Sequence, residues 1–177
     1  MATCDHIIDP SGDAPTTPPA TFLVSSCHLI LASPVFNAML TGKWAESAKT
    51  DGKFNLNAED FDTNALVVVM NVLHLKNRNV PKSISMQMLA KIAIVVDYYQ
   101  IWETLELASS PWITHLKTTL ISIMSPTLTT EIHMIIFTCW VFQDSACFRE
   151  ANKVAILRSR EDMHSPPELP IPSDIIG

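Results

Sequence analysis

The clearest helical periodicity in the sequence lies between Ser85 and Tyr99. Apolar residues recur there three or four positions apart, so they form one continuous stripe along a helix. The stripe consists of Met88, Leu89, Ile92, Val95, Val96 and Tyr99. Ser85 precedes it and is a suitable N-cap residue. A stripe of this kind is far more often part of a buried core than of a ligand site, so we expect these residues to be core.

The rest of the chain predicts further helices and a few short strands. Helices are expected to begin at Ser25 or Ser26, at Ser33 with Pro34 in the first position, at Asp62, at Trp102, at Thr130, and at Asp144 or Ser145. Pro111 is expected to interrupt the helix that begins at Trp102, because proline lacks the backbone N–H that helices use. Alternating apolar residues predict strands at 21–24 and at 53–56, the second after an Asp51-Gly52 turn.

This order of elements predicts the α+β class, with a few short strands followed by about six helices. The predicted organisation is a flexible N-terminal segment at 1–20, a main domain at 21–117, a C-terminal helical extension at 118–160 and a Pro-rich tail at 161–177.

Charge and hydropathy exclude two classes of partner. Twelve lysines and arginines against eighteen acidic residues give a net charge of −6, and no basic run is present, so we expect no nucleic-acid partner. The two longest apolar runs, at 65–75 and 132–142, are much shorter than the roughly 20 residues that span a bilayer. We expect no membrane segment. Since the first residues also lack a signal-peptide core, an intracellular location, cytoplasmic or nuclear, is expected.

Motifs for catalysis, cofactors and metals are missing from the sequence. The four glycines have neither the spacing of a P-loop nor that of a dinucleotide-binding turn. The clusters Cys4 with His6, and His133 with Cys139 and Cys147, do not match the spacings of structural zinc sites. We therefore expect no catalytic residues, cofactor or metal, and we expect the cysteines to be free thiols. An enzyme with an unrecognised site is the least favoured alternative.

The segment from Phe22 to Leu40 resembles the core signature of the BTB/POZ fold. That signature is an F-x-V strand, a short helix ending in L-x-x-x-S, and P-x-F opening a second helix. The matching residues are Phe22, Val24, Leu29, Ser33, Pro34, Phe36, Met39 and Leu40. Later segments resemble the fungal branch of this family; they are 89–93, 95–99, 112–113, 139–142 and Phe148. Over residues 21–158 the resemblance implies a small β-sheet capped by a cluster of helices, with extra C-terminal helices.

The resemblance also implies a function, that of a non-catalytic protein–protein interaction module. The segment Trp44-Ala45-Glu46 is similar to the φ-x-E pattern of family members that act as substrate adaptors for cullin-type ubiquitin ligases. On that hypothesis Trp44 is the apolar anchor for a cullin scaffold and Glu46 is the accompanying acid. The alternative is that Trp44 covers the core and Glu46 lies in a solvated loop.

Self-association is expected to be weak. Dimers of the BTB family typically exchange a leading helix and strand between partners. Residues 1–20 contain four prolines and predict no such helix. We therefore expect a monomer or a weak homodimer.

Overall fold

The computed structural model of the protein describes residues 20–122 and 129–158. Within these ranges the chain forms seven α-helices and one two-stranded antiparallel sheet. The helices are α1 (Ser26–Ala32), α2 (Pro34–Thr41), α3 (Thr63–Leu73), α4 (Met86–Tyr99), α5 (Trp102–Ser122), α6 (Thr129–Val141) and α7 (Ser145–Arg158). The strands are β1 (Lys49–Thr50) and β2 (Lys53–Phe54), and 3₁₀ turns occur at Ala45–Ser47 and Asn77–Asn79. This mostly helical arrangement with a small sheet is consistent with a small α+β fold.

Helix α4 lies at the centre of the fold and contacts α2, α3, α5 and α6. The apolar stripe predicted from the sequence is confirmed as core: Leu89, Ile92, Val95, Val96 and Tyr99 are buried, and Met88 is half-buried. Ser85 caps the helix as predicted, because its Oγ accepts a hydrogen bond from the Met88 N–H at 3.2 Å.

The hydroxyl of Ser33 joins the α1–α2 pair to the end of α4. This side chain is buried, and its Oγ accepts a hydrogen bond from the Phe36 N–H at 3.0 Å, which caps α2. The same hydroxyl donates to the Tyr99 carbonyl at 2.5 Å. The Phe36 and Tyr99 rings stack beside this bond, with their centroids 4.0 Å apart. The Ser33 hydroxyl therefore provides hydrogen bonds for two backbone groups in an apolar environment, the Phe36 N–H and the Tyr99 carbonyl.

A histidine at the end of α3 holds the start of α1. The Ser25 N–H donates to Nε2 of His74 at 2.9 Å, so Nδ1 of that ring carries the proton and donates to the Met70 carbonyl at 2.8 Å. The His28 ring stacks on His74 at 5.0 Å. Ser25 is the residue that precedes α1, as predicted, but its own hydroxyl makes no cap bond. His74 thus supplies the contact that ties α1 to α3.

The predicted turn at Asp51-Gly52 is confirmed as a tight hairpin. Both residues have positive φ, 52° and 75°, as a two-residue hairpin loop of this kind requires. Lys49 pairs with Phe54 and Thr50 with Lys53, so β2 covers only the first half of the strand predicted at 53–56.

The strand predicted at 21–24 is wrong, since these residues have no strand structure. Phe22 is partly exposed and Leu23 almost fully exposed, and only Val24 packs against the core. A strand needs a neighbour to pair its N–H and C=O groups. Among residues 20–122 and 129–158 the only strands, β1 and β2, pair with each other.

The predicted interruption at Pro111 is also wrong, because α5 continues through it. A proline in a helix leaves the carbonyl four residues earlier without its N–H partner. That residue is Leu107, which is 91% exposed, so water can reach its carbonyl. Beyond the proline, Trp112 is buried, and its Nε1–H donates to the Pro81 carbonyl at 2.9 Å. Tertiary contacts thus hold the second half of the helix in line.

The expectation of free thiols fails for Cys139 and Cys147, which form a disulfide. These residues lie near the end of α6 and the start of α7, and the short turn between the helices brings their Cα atoms to 5.7 Å. Asp144 in this turn caps α7, as predicted, by accepting the Cys147 N–H at 2.9 Å. Cys27 is a free thiol and is exposed. Helix α6 begins at Thr129, so Thr130, at which the sequence predicted the start, lies inside the helix.

Some expectations fall outside the described residues. They include the Pro-rich tail at 161–177, all but residue 20 of the N-terminal segment, and Cys4 with His6. Where the structure describes the chain, none of its helices combines the length and hydropathy needed to cross a membrane.

Replacing Ile92 by aspartate should unfold the protein. Ile92 is fully buried in α4, and an unpaired charge there loses its hydration without compensation. A loss of several kcal/mol is expected, against a total stability of about 5–15 kcal/mol. Circular dichroism melting curves measure the effect. Gln87→Asp introduces the same residue at an exposed position of α4 and should melt close to wild type; equal melting of both variants would contradict the burial of this face.

Replacing Ser33 by alanine should destabilise the fold more than removing an exposed cap. The change deletes the cap of α2 and leaves the Tyr99 carbonyl without its donor. We expect a loss of about 2–3 kcal/mol, compared with about 1 kcal/mol for Ser85→Ala, whose cap is exposed. Urea denaturation of both variants gives the two values. Equal losses would show that the Ser33–Tyr99 bond contributes nothing beyond a normal cap.

Candidate functional site

Both residues singled out in the sequence lie in the loop between α2 and β1, residues 42–48, here called the Trp44 loop. Gly42 ends α2 by donating its N–H to the Ala38 carbonyl at 2.9 Å. The 3₁₀ turn at Ala45–Ser47 follows and contacts α2. The loop is therefore held against the helix that precedes it.

Hydrogen bonds to its own carbonyl fix the backbone of Trp44. Ser47 donates to that oxygen twice, from its N–H at 3.1 Å and from its hydroxyl at 2.7 Å. Trp44 itself is extended, with φ −87° and ψ 160°, and precedes the 3₁₀ turn as its cap residue. The turn therefore presents the Trp44 side chain from a defined backbone position.

The indole of Trp44 lies over Gly42 and is open to solvent. A Cβ atom placed on Gly42 would be 2.9 Å from Cδ1 and 3.4 Å from Nε1 of the indole. Trp44 is 64% exposed and does not pack against the hydrophobic core. The absence of a side chain at Gly42 thus leaves room for the edge of the indole at the end of α2.

Glu46 lies two residues farther along the same loop and is half-buried. In the part of the chain that the structure describes, its carboxylate takes part in no ion pair. One short loop therefore carries an exposed indole and a carboxylate that forms no ion pair with any described residue. Such a pair suits recognition of a partner that offers an apolar pocket and a hydrogen-bond donor or cation beside it.

Gly42 and Ser47 flank the Trp44-Ala45-Glu46 segment and belong to the stretch 41–47 that resembles the family's G-x-φ-x-E-S pattern, but the sequence predicts no contact for either residue. The available signal was the close spacing of a glycine, a tryptophan and a serine directly after a helix. Nothing in that spacing specifies that the ring packs on the glycine, because the contact depends on how the loop turns back.

The cluster of His133 with Cys139 and Cys147 does not form a zinc site among the described residues. Cys139 and Cys147 bind each other, so their sulfur atoms are not available beside His133. Within residues 20–122 and 129–158, no three His, Cys, Asp or Glu side chains are arranged to hold a metal ion.

Comparisons with protein-family models, with curated proteins and with solved structures found no match to this chain.

Replacing Gly42 by alanine should disturb both α2 and the Trp44 ring. The new methyl group would lie 2.4 Å from the Ala38 backbone oxygen, which cannot rotate away. We expect a loss of about 1–3 kcal/mol from this overpacking. We also expect a shift of the Trp44 indole N–H resonance in a ¹H–¹⁵N spectrum.

The control is Gly52→Ala in the β1–β2 turn. Its methyl group meets no atom within 4 Å, although the positive φ of 75° strains any residue but glycine. This variant should lose stability and leave the Trp44 resonance in place. An unchanged Trp44 resonance in Gly42→Ala would show that the ring does not lie on the glycine.

Proposed function

We propose that the protein is a non-catalytic protein–protein interaction module of the BTB type. The proposal is supported by the resemblance of residues 21–158 to that family. It is also supported by the local structure of the signature segment, in which Ser33 ends one short helix and Pro34 opens the next. The role of Ser33 in binding Tyr99 explains why serine suits this position in a fold with a central α4.

The observation that carries the proposal is the exposure of Trp44. A 64% exposed indole on a loop whose backbone is held by hydrogen bonds is a preformed apolar projection. Tryptophan is enriched among the residues that dominate binding energy at protein interfaces, because it buries a large rigid surface with little loss of conformational entropy. A partner with an apolar pocket would bury this ring without rearranging the loop.

The narrower function that we propose is recruitment of a target to a cullin-type ubiquitin ligase. Trp44 would enter an apolar groove on the first helices of the scaffold, and Glu46 would accept a hydrogen bond beside it. The specific observation that favours this function is the joint placement of both side chains on the Trp44 loop, with the ring facing solvent.

Trp44→Ala should weaken binding to a cullin N-terminal fragment by about 30-fold or more, the equivalent of about 2 kcal/mol for an aromatic anchor. Glu46→Ala should weaken binding less, unless a desolvated cation faces the carboxylate. Isothermal titration calorimetry on the full chain measures both values. Melting curves establish that each variant remains folded.

The matched control is Leu107→Ala, which removes a 91% exposed apolar side chain from α5 and should leave the affinity unchanged. If folded wild-type protein does not bind cullin fragments, the adaptor function is excluded. The general interaction function is then tested by affinity capture with wild type and Trp44→Ala. Identical sets of captured proteins would show that Trp44 is not the anchor.

A further inference from the structure

A second candidate site lies far from the Trp44 loop along the chain. It is a pocket of about 370 Å³ between the end of α4 and the turn that joins α6 to α7. Its lining includes Asp97, Trp140, Gln143, Ser145 and Phe148. Two segments that carry the family resemblance, around Asp97 and around Trp140, therefore meet here although neither was assigned a role.

Hydrogen bonds and a disulfide hold the α6–α7 turn that lines one side of the pocket. Gln143 has a left-handed backbone, with φ 54°, and donates its N–H to the Trp140 carbonyl at 3.0 Å. The Asp144 N–H donates to the Cys139 carbonyl at 2.9 Å, and the Cys139–Cys147 disulfide links the two helices beside it. Trp140 and Phe148, which are both half-buried, are therefore attached to backbone that these hydrogen bonds and the disulfide hold in place.

Asp97 is the acidic residue among those that line this pocket. It is half-buried, and burial raises the pKa of its carboxyl above the usual value. No lysine, arginine or histidine among the described residues forms an ion pair with it. The carboxylate of Asp144, in the α6–α7 turn, differs from that of Asp97 because it is paired with Lys117 at 2.5 Å. For Asp144, burial acts to raise the pKa, but the hydrogen bonds from Lys117 and from the Cys147 N–H outweigh it and the pKa is lowered.

We propose that this pocket binds an arginine side chain of a partner protein, an assignment that rests on the proposed function as an interaction module. A guanidinium group is planar, pairs with a carboxylate through two parallel hydrogen bonds, and stacks on aromatic faces. Asp97 provides the carboxylate, and Trp140 and Phe148 provide the faces. Gln143 and Ser145 also line the pocket, are exposed, and offer oxygen acceptors for the remaining N–H groups.

The test is a ¹H–¹⁵N titration of the full chain with N-acetylarginine N-methylamide. Its matched probe is the citrulline derivative, which has nearly the same shape and no charge. The arginine probe should bind with a Kd in the millimolar range and shift the amides of Gln143, Ser145 and Phe148 and the Trp140 indole. The citrulline probe should produce no comparable shifts, and the lysine derivative should bind more weakly than arginine.

Asp97→Asn should weaken binding of the arginine probe about 10-fold or more, since a hydrogen bond to a charged group is lost. The variant should remain folded. Because the carboxyl pKa is raised in the folded state, the ionised form disfavours folding above that pKa, and the amide removes this penalty. Glu106→Gln, which neutralises an exposed carboxylate on α5, is the control and should bind the probe as wild type does.

Three outcomes would overturn the assignment: equal binding of the arginine and citrulline probes, unchanged binding by Asp97→Asn, or tighter binding of the lysine probe. The probe titration needs no natural partner, so its result is independent of the cullin and capture experiments on Trp44. Loss of partner capture by Trp44→Ala together with failure of the arginine probe would reject the pocket and retain the interaction module.

Discussion

The enclosure of α4 is the constraint on which the rest of the structure depends. This helix has buried residues at both ends, from Leu89 to Tyr99, so α2, α3, α5 and α6 must cover it on several sides. A polar group buried in this apolar centre destabilises the fold unless it is hydrogen-bonded. At the end of α4, the Ser33 hydroxyl donates a hydrogen bond to the Tyr99 carbonyl, and the same hydroxyl also caps α2.

The end of α4 also connects the two surfaces to which we assign binding. Tyr99 stacks on Phe36 of α2, the helix whose last turn carries Gly42 and the Trp44 loop. Asp97, two positions earlier, lines the pocket beside α6 and α7. Residues two apart on a helix point in widely different directions, so one helix end can support two separate surfaces. Each surface combines an aromatic side chain with a carboxylate that has no ion-pair partner in the described residues.

Much of the fold was predictable where local chemistry decides it. The stripe of α4, the Ser33 and Asp144 caps, the proline at the start of α2 and the Asp51-Gly52 turn all depend on residues close together in the chain. Predictions failed where contacts between residues far apart in the sequence determine the local structure. Residues 21–24 alternate as a strand does but find no strand to pair with, and Pro111 remains inside α5 because Trp112 is anchored to Pro81. For the candidate site, the sequence identified Trp44 and Glu46 but neither the glycine beneath the ring nor the pocket at Asp97.

The sequence by itself determined which segments are helical, which faces are apolar and where several helices begin, because these depend on periodicity and on hydrogen bonds within a few residues. Only the tertiary structure decided that Trp44 lies on the surface, that Cys139 reaches Cys147, and that Asp97, Trp140 and Phe148 line one pocket. Exposure and pairing are properties of elements packed against each other. They depend on how α4, α6 and α7 meet, and no local pattern of residues encodes that geometry.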